Sequence, residues 1–253
     1  MESFKKHWSF KPFQAKPPWG VGFSFFLAIL AIPLLDAGVV VWARNVGFLD
    51  SNFDASNMTF IVLQLTVLLM ELVFIGLVLK AKVKDKRLFS LKPVTKALGL
   101  IKPTKSQYSE LLKTAAGYFF VLFFILSPLV GLLPESITSQ EQQIGLDKTT
   151  TSMLEIALSG LILLVLVPIV EEVLYRGVVF RSLTRSMTMP IAAVVSSVLF
   201  ALAHFNIVVG IDTFVLGILL CLVYSRTKNL WMAVALHSVK NSIAFVLLFF
   251  TNT

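Results

Sequence analysis

Residues 156–177 read Ile156-Ala-Leu-Ser-Gly-Leu-Ile-Leu-Leu-Val-Leu-Val-Pro-Ile-Val-Glu171-Glu172-Val-Leu-Tyr-Arg176-Gly177. An uncharged apolar run ends on two adjacent glutamates, with an arginine one turn further on. A helical membrane span takes about 20 apolar residues, and similar runs recur along the chain. They predict helices over 20–43, 58–80, 114–133, 153–175, 188–206, 211–226 and 229–250. The composition agrees: of 253 residues, 57% are hydrophobic and only 14% charged, against about 25% charged in a globular domain. A collagen or a disordered chain is excluded, and the lone Cys221 excludes a disulfide scaffold. Lipid leaves no partner for free backbone groups, so only helices or a closed barrel can span it. The runs are too continuous for barrel strands. The fold class is therefore all-α, a polytopic transmembrane helical bundle of about seven spans.

The first run has a long polar lead, and Pro33, Leu35 and Asp36 make no small-residue cleavage site, so it reads as a retained anchor. Lys and Arg in short loops favour the inner side. With the N-terminus cytoplasmic, 19 of the 22 fall inside: Lys5, Lys6, Lys11 and Lys16, ten from Lys80 to Lys113, then Arg176, Arg181, Arg185, Arg226 and Lys228. Asp50, Asp54, Glu135, Glu141, Asp147 and Asp212 then lie outside, as does the tail Thr251, Asn252, Thr253. This divides the chain into a cytoplasmic segment 1–19, three helices over 20–133 with a basic cytoplasmic loop at 81–113, and a core over 153–250. The expected location is the plasma membrane of a bacterium, as an integral multi-pass protein. Positive-inside topology absorbs the net charge of +8, so nucleic acid is not an expected partner. The basic loop instead faces the inner lipid surface, where each Lys or Arg gains about 1 kcal/mol from anionic headgroups.

Ionisable residues inside apolar helices each call for a reason, since a charge at mid-membrane costs about 2.5–3.5 kcal/mol on insertion scales. Glu172 and Arg176 are four apart and share a helix face, whereas Glu171 points elsewhere. One carboxylate is thus held by the guanidinium and the other is free to act. His204 follows Phe200 by one turn on the next span. If the fourth and fifth spans form a hairpin about Ser186 and Met187, Glu171 and His204 lie at nearly equal heights. They could then share a water, with Glu171 as base. His237 and Asn241 are again one turn apart, and two donors on one face suit the oxyanion of a tetrahedral intermediate. The competing structural reading makes the same residues interfacial charges or an interhelical polar clamp. Lys240 is expected to snorkel or to pair with Asp36 or Glu71.

Glu171-Glu172-x-x-x-Arg176, then Phe200-x-x-x-His204, then His237-x-x-x-Asn241, in order on three apolar helices, resembles the CPBP intramembrane protease family. That family includes the CAAX prenyl endopeptidases and the bacterial Abi or bacteriocin-processing proteins. The resemblance covers about the last 100 residues. It implies a catalytic cavity sunk into the membrane and open to the cytosol, with Glu171 and His204 activating water and His237 and Asn241 forming the oxyanion hole. Glu172, Arg176 and Phe200 would support the site. The implied substrate is a membrane-associated protein or peptide precursor, of CAAX or leader type, in the lipid bilayer.

Family members are often labelled metalloproteases, and two His with a Glu could bind zinc. Here the two His lie on different helices and no His-Glu-x-x-His occurs, so the expectation is a cofactor-free glutamate protease. Two other classes remain open on the sequence: a proton-coupled transporter, and a non-catalytic scaffold or self-immunity protein.

Overall fold

The computed structural model describes residues 9–13, 15–49, 56–83, 90–138 and 151–250. The expectations for Asp50, Asp54, Glu141, Asp147 and the C-terminal tail lie outside these residues. Among the described residues there is no strand, and the helices are α1 (Val21–Asn45), α2 (Asn57–Val83), α3 (Lys92–Leu98), α4 (Lys105–Val130), α5 (Met153–Leu183), α6 (Met189–Leu202), α7 (Ile207–Thr227) and α8 (Leu230–Phe250), with one short turn at Glu135–Thr138. Six of them, α1, α2, α4, α5, α7 and α8, are long and apolar enough to cross a membrane. Large apolar side chains such as Phe26, Leu34, Leu77 and Phe124 are exposed around the bundle, an arrangement that suits lipid and not water. The chain is an integral multi-pass membrane protein.

Three helix limits differ from the sequence-based spans. The span expected over 188–206 is α6, only 14 residues long and so about 21 Å. Thr188 and Pro190 open it, and it closes at Ala203–Phe205, where Phe205 takes a left-handed φ of 50°. Second, α4 starts nine residues before the expected 114, because Thr104 and Gln107 form a capping box ahead of the apolar run. Third, α5 continues to Leu183 rather than ending near 175. Glu171, Glu172 and Arg176 therefore sit in the helix interior and not at its end.

The long helix α5 widens into π-helical turns at Ile162–Leu166 and Val173–Phe180, a form often found at functional sites. Its backbone there is clamped from neighbouring elements. Ser196 Oγ on α6 donates to the Tyr175 carbonyl at 3.0 Å, and the buried Trp19 indole donates to the Val178 carbonyl at 3.2 Å. In the first wide turn the Val167 N–H donates to the Ile162 carbonyl, five residues back. The next such bond would run to Leu163, but residue 168 is proline and has no N–H. Asn241 Nδ2 on α8 donates to the Leu163 carbonyl instead, at 2.9 Å.

Helices α6 and α7 pack closely because small residues line their contact. A Cβ on Gly217 would fall 2.7 Å from Ser197 Oγ and 2.8 Å from its Cβ. The segments that the Lys and Arg count assigns to the inner side meet at one end of the bundle. There Arg181 Nη2 donates to the Ala15 carbonyl, Arg185 Nη1 to those of Pro17 and Trp19, Arg226 Nη1 to that of Ser9 and Lys228 Nζ to that of Lys11. Gln107 Nε2 donates to the Thr227 carbonyl, tying α4 to the same end.

Candidate active site

Glu172 and Arg176 have no exposed surface, and Arg176 Nη1 lies 2.8 Å from Glu172 Oε1, the one-turn pair read from the sequence. The guanidinium also lies over the Phe200 ring, 4.2 Å from its centroid, a cation–π contact strengthened by the absence of water. The same Glu172 oxygen faces His237 Nδ1 at 3.0 Å. A carboxylate can only accept there, so Nδ1 carries a hydrogen and donates. That bond fixes the ring and turns Nε2 towards Glu171, whose Oε2 stands 3.6 Å away. Glu171 is the open member of the pair, its side chain 27% exposed, and Oε2 has no hydrogen-bond partner among the described residues.

His204 sits differently from the expectation. Its Nδ1 donates to the Phe200 carbonyl at 2.8 Å, which leaves the hydrogen-bonding capacity of Nε2 for another group. Its ring meets Phe200 edge-on at 4.9 Å, and the other side of the Phe200 network reaches His237 at 5.8 Å. The imidazole that reaches the glutamates is that of His237; His204 is joined to the cluster through Phe200. Depth along a helix was readable from the sequence, but azimuth on α6 was not, and azimuth decides the contact. Asn241 lies one turn beyond His237, as expected, and spends one amide hydrogen on Leu163. Its second amide hydrogen is left for another acceptor.

Lys240 pairs with neither Asp36 nor Glu71. Its Nζ is 3.3 Å from Asp212 Oδ2, and Tyr118 donates its hydroxyl to Asp212 Oδ1 at 2.6 Å. Asp212, expected in an outer loop, is in the second turn of α7, where it joins α4, α7 and α8. This cluster borders a cavity of about 290 Å3. A larger apolar groove of about 620 Å3 runs between α6 and α7 past Leu202, Phe205, Ile211 and Phe214.

A zinc ion would need three or four converging donors. Among the described residues no group of three His, Cys, Asp or Glu side chains is placed to hold one, and His237 Nδ1 already bonds Glu172. The donor set does not fit a metal.

Residues missed by sequence reasoning are those that shape the pocket without being ionisable in an obvious pattern. Gly217 leaves room for Arg176, whose Nη2 would lie 3.2 Å from an added Cβ. Ser196 holds the wide turn next to the glutamates. The signal for both was a run of small residues, Ala192, Ala193, Ser196 and Ser197, on one face of an otherwise bulky helix.

Residues 153–243 match the family described as type II CAAX prenyl endopeptidase Rce1-like. The chain is 25% identical over 143 residues to a Bacillus subtilis (strain 168) protein named "Putative membrane peptidase YdiL". That alignment covers 54% of this chain and 56% of the relative, so the chain spans about half the length of the curated protein it matches. No solved structure matches it.

Proposed function

We propose, from the match of residues 153–243 to the type II CAAX prenyl endopeptidase Rce1-like family, that this chain is an intramembrane endopeptidase. It hydrolyses a peptide bond in a membrane-associated protein or peptide precursor with water activated by Glu171. The single observation that carries this reading is the Glu171–His237–Glu172–Arg176 chain: one carboxylate is locked by a guanidinium and orients an imidazole, and the other stays open beside it. Two carboxylates in different surroundings can divide the structural and the proton-transfer roles.

In the proposed reaction a water bound at Glu171 attacks the scissile carbonyl while Glu171 removes its proton. His204 orients that water through its free Nε2. The tetrahedral oxyanion is received by the second amide hydrogen of Asn241 and by the Nε2 hydrogen of a His237 imidazolium that is already formed before the attack. Collapse breaks the C–N bond, and Glu171 returns its proton to the leaving amine. The apolar groove between α6 and α7 suits the lipid-facing part of a membrane-anchored substrate. CAAX-type and leader-type precursors are the two substrate classes within this reading.

The test uses purified protein in nanodiscs with a library of fluorogenic peptides, each anchored by either a prenyl chain or an apolar helix. Cleavage by the wild type and a loss of about 100-fold or more in Glu171→Gln, with the fold intact, is the expected result. Prenyl-only or helix-only cleavage assigns the substrate class. Exhaustive chelation with EDTA is expected to leave the rate unchanged, and a loss restored by zinc would contradict the metal-free mechanism.

A further inference from the structure

Tyr118, Asp212 and Lys240 take no part in the proposed chemistry, and Tyr118 lies on α4, ahead of the residues that match the family. The three side chains form one linked group. Lys240 Nζ is 3.3 Å from Asp212 Oδ2, and the Tyr118 hydroxyl donates to Asp212 Oδ1 at 2.6 Å. Each carboxylate oxygen of Asp212 thus has its own partner, one on α8 and one on α4. Tyr118 is fully buried, and a hydroxyl that donates to a carboxylate makes one of the stronger hydrogen bonds. Tyr118 therefore aims Asp212, and Asp212 aims Lys240.

The group stands next to the proposed oxyanion donor. Lys240 and Asn241 are consecutive on α8, and at 3.6 residues per turn their side chains leave the helix about 100° apart. Asn241 Nδ2 donates to the Leu163 carbonyl of α5 at 2.9 Å, while Lys240 is held by Asp212 of α7. A single tether lets a helix turn about the tethered side. Two tethers at one height, in different directions, fix the rotation. The Asn241 carboxamide has to keep its second hydrogen aimed at the reacting carbonyl, and a misplacement of about 1 Å can cost about 100-fold in rate. The Lys240–Asp212 pair also borders the cavity of about 290 Å3 that Leu122, Leu126 and Val130 line from α4. Packing does not hold the pair from that side, which leaves its direction to the polar contacts.

We propose that Tyr118, Asp212 and Lys240 are positioning residues that set the rotation of α8 and so align Asn241 with the oxyanion. The proposal rests on the proteolytic reading above. It gives α4, which packs against both α7 and α8, a task in the reaction. Because the oxyanion exists only beyond the ground state, the alignment acts on kcat and leaves substrate binding alone.

The test compares wild type with Tyr118→Phe, which keeps the ring and removes only the hydroxyl, and with Lys240→Met, each alone and combined with Asn241→Ala. Each single variant is expected to lower kcat by about 10-fold, less than the loss of about 100-fold or more from removing an oxyanion donor, with KM within about twofold of the wild type. In the Asn241→Ala background the same changes are expected to cost at most about twofold, because residues that act through one another are not additive. A merely structural clamp would lower the melting temperature and reduce kcat by the same factor in both backgrounds; that result overturns the proposal, as does an unchanged kcat in both single variants. A second arm needs no substrate. Spin labels at the exposed positions Leu161 on α5 and Val246 on α8, read by electron paramagnetic resonance, are expected to show a shifted or broadened separation in Tyr118→Phe and Lys240→Met, and an unchanged one overturns the proposal. If the wild type cleaves nothing, the proteolytic reading fails, and the spin-label arm still decides whether the group sets the rotation of α8.

Discussion

Glu172 Oε1 serves two partners, Arg176 and His237, in a place no water reaches. Removing either charge strands the other, and breaking a buried ion pair costs about 3–5 kcal/mol. Arg176→Ala and Glu172→Ala are therefore expected to unfold at markedly lower temperature in detergent, whereas Glu171→Gln, at a partly open position, is expected to melt near the wild type. Equal melting of all three would show that the two glutamates are not divided as described. The Glu172–Arg176 pair was legible in the sequence because an i, i+4 spacing fixes two residues on one face whatever surrounds them. The His237 contacts were not, since they depend on how α8 is turned against α5. Nor was the Lys240 partner: Asp212 looked like a loop residue until α7 was seen to begin at Ile207, capped by Asn206.

At the scale of the element, two devices hold the site's helices in register. One is the pair of wide turns in α5, whose carbonyls are met by Asn241, Ser196 and Trp19. No propensity argument locates such turns, although Pro168 marks where one loses a bond. The other is the approach of the α3 end to the α7–α8 connection. Gly99 has φ of 74°, its carbonyl accepts from Leu230 N at 3.0 Å, and an added Cβ would stand 2.6 Å from the Lys228 carbonyl oxygen. Gly99→Ala meets both a left-handed backbone penalty of about 1–2 kcal/mol and a clash with backbone that cannot give way. It is expected to lower stability by about 2 kcal/mol or more, read as a fall in melting temperature. Gly210→Ala, where the nearest atom is 3.5 Å away, should be close to neutral.

Across the whole molecule, the spans and the gathering of basic residues at one end were readable from hydropathy and charge, which are properties of composition along the chain. The shortness of α6 was not, because its apolar residues continue past the turn at Phe205, and hydropathy does not register a change of direction. The gathered charges have an electrostatic consequence. Burial, and then the nearby Arg181 and Lys11, lower the Lys228 ammonium to about 8 from 10.5. The folded protein thus holds this proton less tightly than the unfolded chain does. Below about pH 8 the penalty is constant, and stability recovers as pH rises from about 8 towards 10.5. Wild type is expected to gain stability over that window relative to Lys228→Met, measured by melting in the same detergent, and parallel curves would contradict it.

The central claim, that this bundle cuts peptide bonds with Glu171, is tested most directly by mass spectrometry of peptide termini in membranes of cells expressing wild type or Glu171→Gln at matched abundance. The account predicts new termini, at or near the membrane, that occur only with the wild type. Identical termini from both proteins, each folded and abundant, would contradict it.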